Sequence, residues 1–425
     1  MNDFSQDSKL SLWLGRLGRH PRLRVTAGAL LTLALLTTVF SPTARDIANL
    51  PDTLTLYPGQ SVQLPVGVAA LSSTDETLSC GKDTVNAESV GSGEMTVSLF
   101  GLFPLQKMQV EVTEKRTLIP GGQAVGVAMR TKGVLVVGVS RDSGADSALK
   151  AGDVILSVNG KPLAGAEELS ALVEKSGGGA LTISFTRDDL AHSVTLSPRL
   201  DESSGQYKLG VWVRDSTAGV GTLTYYDPEN GTYGALGHAV NDSDTGKLLT
   251  ISEGSLMRAA IVDVRRGVRG TPGELRGSFL RDQKELGNIV ENTRCGVYGE
   301  ADAAIENPLY PGGLPVGSRG SVHTGKATIL STIDGSGVRA YEVEITQVTR
   351  QRSSAQKSFV IHVTDETLLQ KTGGIVQGMS GSPVIQDGLL IGAVTHVFVD
   401  DPEQGYGVYI EWMLEQSDAL EDKAA

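Results

Sequence analysis

The sequence predicts a mostly β protein of several domains behind an amino-terminal membrane segment. Three observations carry that expectation. Glycine supplies 52 of the 425 residues, well above the usual ~7 %, which implies many turns and therefore many strands. Runs of strand length alternate apolar with polar positions, as Tyr341, Val343 and Ile345 do with Glu342, Glu344 and Thr346, a period of two that leaves one sheet face wet. The length exceeds one ordinary core, so two or three folded domains are expected.

Composition also excludes some functions. A net charge of −12 argues against a nucleic-acid binder, which needs a basic face. The basic cluster Arg265, Arg266 and Arg269 reads as a solvated turn. Cys80 and Cys295 lie far apart in the chain, so a disulfide framework or zinc site is not supported and two unpaired thiols are expected. Nothing in the sequence asks for a metal or cofactor.

The elements follow in order. Residues 1–45 read as a cytosolic basic flank and signal-anchor. Lys9, Arg16, Arg19, Arg22 and Arg24 precede sixteen uncharged residues, Val25 to Phe40, and this polarity directs the remainder outward. Residues 46–112 alternate over short stretches around Pro-Gly turns and read as a small β-domain. Residues 113–200 contain "AGDVILSVNGKPL", Ala151 to Leu163, then helical spacing from Ala166 to Lys175 and a closing strand. This segment resembles a PDZ domain over Leu118 to Pro198. The resemblance implies a glycine-containing turn whose amides take a peptide carboxylate while the peptide adds as a strand. By position that turn is Gly122, Gln123, Ala124, Val125, Gly126 and Val127. Residues 201–425 are strand-rich again and end in the helical "YIEWMLEQSDALE", which suggests two sheets or a barrel.

The chemistry centres on "QGMSGSP". A serine hydroxyl needs a base and an oxyanion needs aimed donors. Gly378 and Gly381 allow a tight bend around Ser380, where the N–H groups of Gly378 and Ser380 can share one hole. Of the six histidines, His20 precedes the anchor, His192 ends the PDZ-like segment and His323 lies in a polar stretch. His362 and His396 read as satisfied strand histidines. His238, in "YGALGHAVND", is an awkward lone imidazole among apolar residues and glycines, and is the best base. Asp365 is the candidate orienting carboxylate. Asp242 and Asp244 are rivals, although a carboxylate so near His238 in sequence usually serves a turn.

"QGMSGSP", with "GAVTHVF" and "GYGVYIEWM" after it, resembles the serine turn, following strand and terminal helix of chymotrypsin-like peptidases, whose fold is a double β-barrel. Met379 and Gly374 stand where those enzymes carry an activating and a specificity aspartate, so neither zymogen activation by that ion pair nor a basic-residue preference is implied. With "LIPGGQAVGV" and "GTLTYYDPENGTYGALGHAV", the chain resembles the stage IV sporulation protein B family, PDZ-containing signalling serine peptidases of endospore-forming bacteria. That resemblance implies a triad of His238, Asp365 and Ser380. It also implies a forespore protein acting between two membranes, which cleaves its own amino-terminal region and the regulatory subunit of a membrane-embedded metalloprotease, so triggering a late sigma factor. A membrane-tethered PDZ adaptor with an inactive peptidase-like domain is the alternative. If histidine is the base, activity should fall as it protonates below about pH 6–7.

Overall fold

The computed structural model describes Ile47, Leu50 and residues 53–424 except 68, 100, 113–115, 142, 146, 147, 281–283 and 352. The expected signal-anchor lies outside these residues. Among the described residues no helix is long and apolar enough to cross a membrane. The chain divides into two units, 1–114 and 115–425.

The first unit is all strand. Thr53–Leu56 pairs in parallel with Phe103–Val112, which pairs with Gly91–Leu99 and, beyond it, Ala69–Ser73. A three-stranded sheet of Ser61–Gln63, Thr84–Ala87 and Leu78–Cys80 supplies a second layer. Leu56, Val66, Val85, Met95, Met108 and Val110 fill the core with no exposed surface. The alternation seen in the sequence is the alternation of the pleat, since every second residue must point inward.

The second unit is organised by two strands of 16 residues each, Ala124–Val139 and Val211–Tyr226. They pair antiparallel from Val211 with Val139 to Thr222 with Ala124. Their ends serve different bodies. Ala124–Thr131 and Ala218–Tyr226 enter a ring that continues through Thr232–Ala235, Gly296–Glu300, Gly287–Asn288 and Ile251–Arg265, and so returns to Ala124–Thr131. Val125, Leu223, Tyr233, Leu256 and Val297 pack inside it.

The other ends build the PDZ body. Leu135 and Val134 pair with Val154 and Ile155, and the sheet continues to Leu181–Arg187 and Leu190–Leu196. Helix Ala166–Lys175 starts with Glu167 and Glu168, which suit the positive end of the helix dipole, and lays Leu169 and Val173 on Ile155, Ile183 and Phe185. The two bodies, expected on either side of residue 200, therefore share both long strands.

A closed six-stranded barrel completes the chain, in the order Gly325–Ser331, Arg339–Val348, Phe359–Val363, Asp401–Tyr409, Leu389–Phe398, Pro383–Gln386. Tyr341, Val343 and Ile345 point into it, and Glu342, Glu344 and Thr346 into solvent. The last strand runs directly into helix Ile410–Ala424, whose Trp412 and Met413 are buried. The unit is thus a PDZ body joined to two β-barrels, as the sequence predicts for its fold class.

Candidate active site

Ser380 sits on a turn that enters the second barrel and is stitched to the first. Gln377 donates its N–H to Gly273 O at 3.0 Å and accepts from Leu275 N at 2.8 Å. On the far side, Thr222 N donates to Ser380 O at 3.0 Å, while the Thr222 and Thr224 hydroxyls donate to Gly378 O and Gly381 O, each at 2.8 Å. Both glycines are required. Gly378 and Gly381 have φ of 98° and 95°, and a Cβ at Gly381 would lie 2.1 Å from Thr222 O. Met379, Gly381 and Ser382 commit their amides to Val376 O, Val394 O and Met379 O. The amides of Gly378 and Ser380 donate to no group among the described residues, so they are the free donors of the turn.

His238 comes from the first barrel. It follows strand Thr232–Ala235 through Leu236 and Gly237, whose φ values are 70° and 69°. A left-handed leucine is strained by about 1–2 kcal/mol. The conformation brings Leu236 N against the serine turn, within 2.5 Å of where a Gly381 Cβ would stand. Nδ1 of His238 lies 2.8 Å from Ala239 O. A carbonyl only accepts, so Nδ1 carries the proton and Nε2 is left as the basic nitrogen.

Ser380, His238, Gly378 and His396 line one cleft of about 500 Å³ between the barrels, with Val220 and Leu236 among its apolar walls. Burial holds the His238 pKa below the ordinary histidine value, partly offset by the Ala239 carbonyl, so the ring is neutral at neutral pH. The Ser380 hydroxyl donates to Thr395 O at 2.9 Å and must turn away from it to reach an imidazole.

Two sequence expectations are corrected here. Asp365 does not join the pair. Its carboxylate caps helix Glu366–Thr372, accepting from Leu368 N at 2.9 Å and from Glu342 N at 3.4 Å. The physical reason is local, because an aspartate before a short helix that closes on left-handed Gly373 (φ 75°) satisfies orphan amides. Asp242 and Asp244 serve a turn as expected, bound by Arg214, with Asp242 also accepting from Thr245 N at 2.8 Å. No carboxylate hydrogen-bonds His238 among the described residues.

The second correction concerns Gly122 to Val127. This stretch offers no free edge, because Val125 and Val127 pair on one side with Gly221 and Gly219 and on the other with Arg258 and Leu256. Gly122 N donates to Leu223 O. The strand beside helix Ala166–Lys175 is instead Val211–Arg214, reached through Gly210 at φ 75°. Ala166 N at the helix start donates to Asp215 Oδ2 at 2.8 Å, and Leu209 is buried with Leu169 and Val173.

Two further residues were not expected. His396 is no satisfied strand histidine: its Nδ1 is buried with no partner among the described residues, and its ring lies 5.0 Å from that of His238, tilted by 38°. Thr222 clamps the serine turn, and the signal available was a threonine alternation, Thr222 and Thr224, in the apolar end of the strand, Val220 to Tyr226.

With this geometry in place, comparison with known proteins is informative. The SpoIVB peptidase S55 family model matches residues 205–414, and a PDZ domain model matches residues 122–197. Among solved structures, the PDZ domain of the SdrC-like protein Lmo2051 from Listeria monocytogenes is 23% identical, with 19% of this chain and 87% of that one covered at a TM-score of 0.19. The active form of the Rv3671c protease from M. tuberculosis is 14% identical, with 47% of this chain and 73% of that one covered at a TM-score of 0.27.

Proposed function

We propose, from the premise that the chain belongs to the SpoIVB-like, PDZ-containing serine endopeptidases, that Ser380 is its nucleophile and His238 its general base. One observation carries the assignment: two barrels bring a serine and a neutral, half-buried imidazole into one cleft, beside a pair of amides left unpaired among the described residues. On attack, Ser380 Oγ bonds to the scissile carbonyl carbon as its proton passes to Nε2 of His238. The carbonyl oxygen takes the displaced electron pair, and the Gly378 and Ser380 amides are the donors for it. One such donor is worth about 10²–10³ in rate.

The wider role follows the family. The catalytic domain acts outside the cytoplasm, tethered by the apolar segment Val25 to Phe40. It cuts its own amino-terminal region and then the regulatory subunit of a membrane-embedded metalloprotease in sporulation signalling. The basic flank before that segment and the directly attached PDZ body support this reading.

A fluorophosphonate probe tests the assignment. Wild-type protein should be labelled and should generate fragments, and Ser380→Ala should do neither. Equal behaviour of the two folded proteins would leave Ser380 a turn residue and make the chain a PDZ adaptor.

A further inference from the structure

A base that takes a proton in a cleft with largely apolar walls becomes an imidazolium, and something must stabilise that charge. In a serine peptidase a carboxylate on the far ring nitrogen does so. Here that nitrogen faces a neutral carbonyl, Ala239 O, and Asp365 is engaged as a helix cap.

What does lie against His238 is the His396 ring, 5.0 Å away between centroids. Its placement is unusual for a structural histidine, because Nδ1 is buried without a hydrogen-bond partner among the described residues. An unmade bond of that kind opposes folding, and such costs concentrate at functional sites. The ring is held by its own strand, Leu389–Phe398, in which the residue before it, Thr395, supplies the carbonyl that accepts from Ser380.

We propose that His396 is a positioning residue for the peptidase reaction: its neutral ring backs His238 and stabilises the imidazolium that His238 becomes on accepting the Ser380 proton. A cation within about 6 Å of an aromatic face is attracted to it, most strongly where water is excluded. The surroundings keep His396 in the neutral form that this requires. Burial, reinforced by repulsion from a protonated His238 and from Lys357, pushes its pKa down to about 4. Lys357 is the only charged side chain among the described residues that bears on the ring, and its Nζ rests 4.5 Å over Tyr406. Among the described residues the remaining cleft wall is uncharged. This role rests on the reading of His238 as base.

The test compares full-length wild type with His396→Leu, which keeps apolar bulk without a π face, and His396→Phe, which keeps the face without the nitrogens. Two readouts are taken: the rate of fluorophosphonate labelling at Ser380, and the His238 ring titration followed by NMR. Loss of the face should slow labelling roughly tenfold in the leucine variant and move the His238 titration down by about one pH unit. The phenylalanine variant should label within about threefold of wild type and titrate as wild type does. A leucine variant indistinguishable from wild type in both readouts would overturn the proposal, as would a phenylalanine variant as impaired as leucine. The titration is read whether or not the serine reacts. An unlabelled wild type whose His238 titration still follows the ring face would therefore sink the peptidase assignment and leave the ring contact standing.

Discussion

At the scale of single residues, the site is a set of local costs accepted for geometry. Leu236 is left-handed, Gly378 and Gly381 occupy conformations that strain other residues, and His396 keeps a nitrogen unpaired among the described residues. The histidines make these costs visible in pH. For His238 the native pKa is lowered by burial, so the neutral base persists below the ordinary value near 6.5. The acid limb of kcat/KM should accordingly fall below pH 6.5, lower than the sequence alone suggests. The same shift acts on stability with a definite sign. Between about 6.5 and the lower native values the unfolded chain takes up protons that the native cleft refuses, so stability falls as pH drops, down to about 4 where His396 itself protonates. Buried Glu411, whose pKa is pushed up to about 7 by desolvation, acts with the opposite sign over the same range, so the ring contribution is read against His396→Phe. Between pH 7.5 and 5 wild type should lose more stability than that variant, and an equal loss in the two would contradict the burial of His396.

At the scale of elements, helix Glu366–Thr372 decides the place of Asp365. As a cap, Asp365→Asn should be nearly silent, because asparagine caps as well as aspartate, and Asp365→Ala should cost about 1 kcal/mol of stability with activity retained per folded molecule. As a triad carboxylate, the asparagine variant should lose about 10⁴ in kcat. Stability and labelling measured on both variants separate the two. This element also shows what the sequence contains. "DETLLQKTGG" carries an N-cap aspartate, an acidic first turn and a carboxyl-terminal glycine, so the helix is written locally, and the search for a carboxylate to orient the base, together with the family triad, drew Asp365 away from it. The serine turn is legible for the same reason, since "GMSGSP" encodes its own backbone, and so is the terminal helix from Ile410. His238 could be chosen because an imidazole is conspicuous among apolar residues. His396 could not be told from a strand histidine, because its meaning lies in a ring from another barrel.

At the scale of the whole molecule, the course of Ala124–Val139 was illegible. The strand continues past Gly133 at φ 88° through a bulge, Arg214 facing Leu135 and Ser216 facing Arg130. Which partner a strand meets is fixed by distant segments, and nothing local records that Val211–Tyr226 runs alongside for most of its length. The consequence is mechanical. One strand carries the edge beside the PDZ helix at Val211–Arg214 and, a few residues on, the Thr222 and Thr224 hydroxyls that hold the serine turn. A fragment beginning at Asp201 lacks Val125, Val127 and Met129, which fill the first barrel and carry the strand that closes it. It should therefore neither unfold cooperatively nor react with a fluorophosphonate, whereas residues 115–425 should melt in a single transition. Leu169→Ala, a cavity in the PDZ core worth about 2–5 kcal/mol, should lower that transition as a whole and carry the peptidase with it. A folded, probe-reactive fragment from Asp201 onward, or a leucine variant in which only part of the signal melts early, would mean that the shared strands do not join the two bodies energetically.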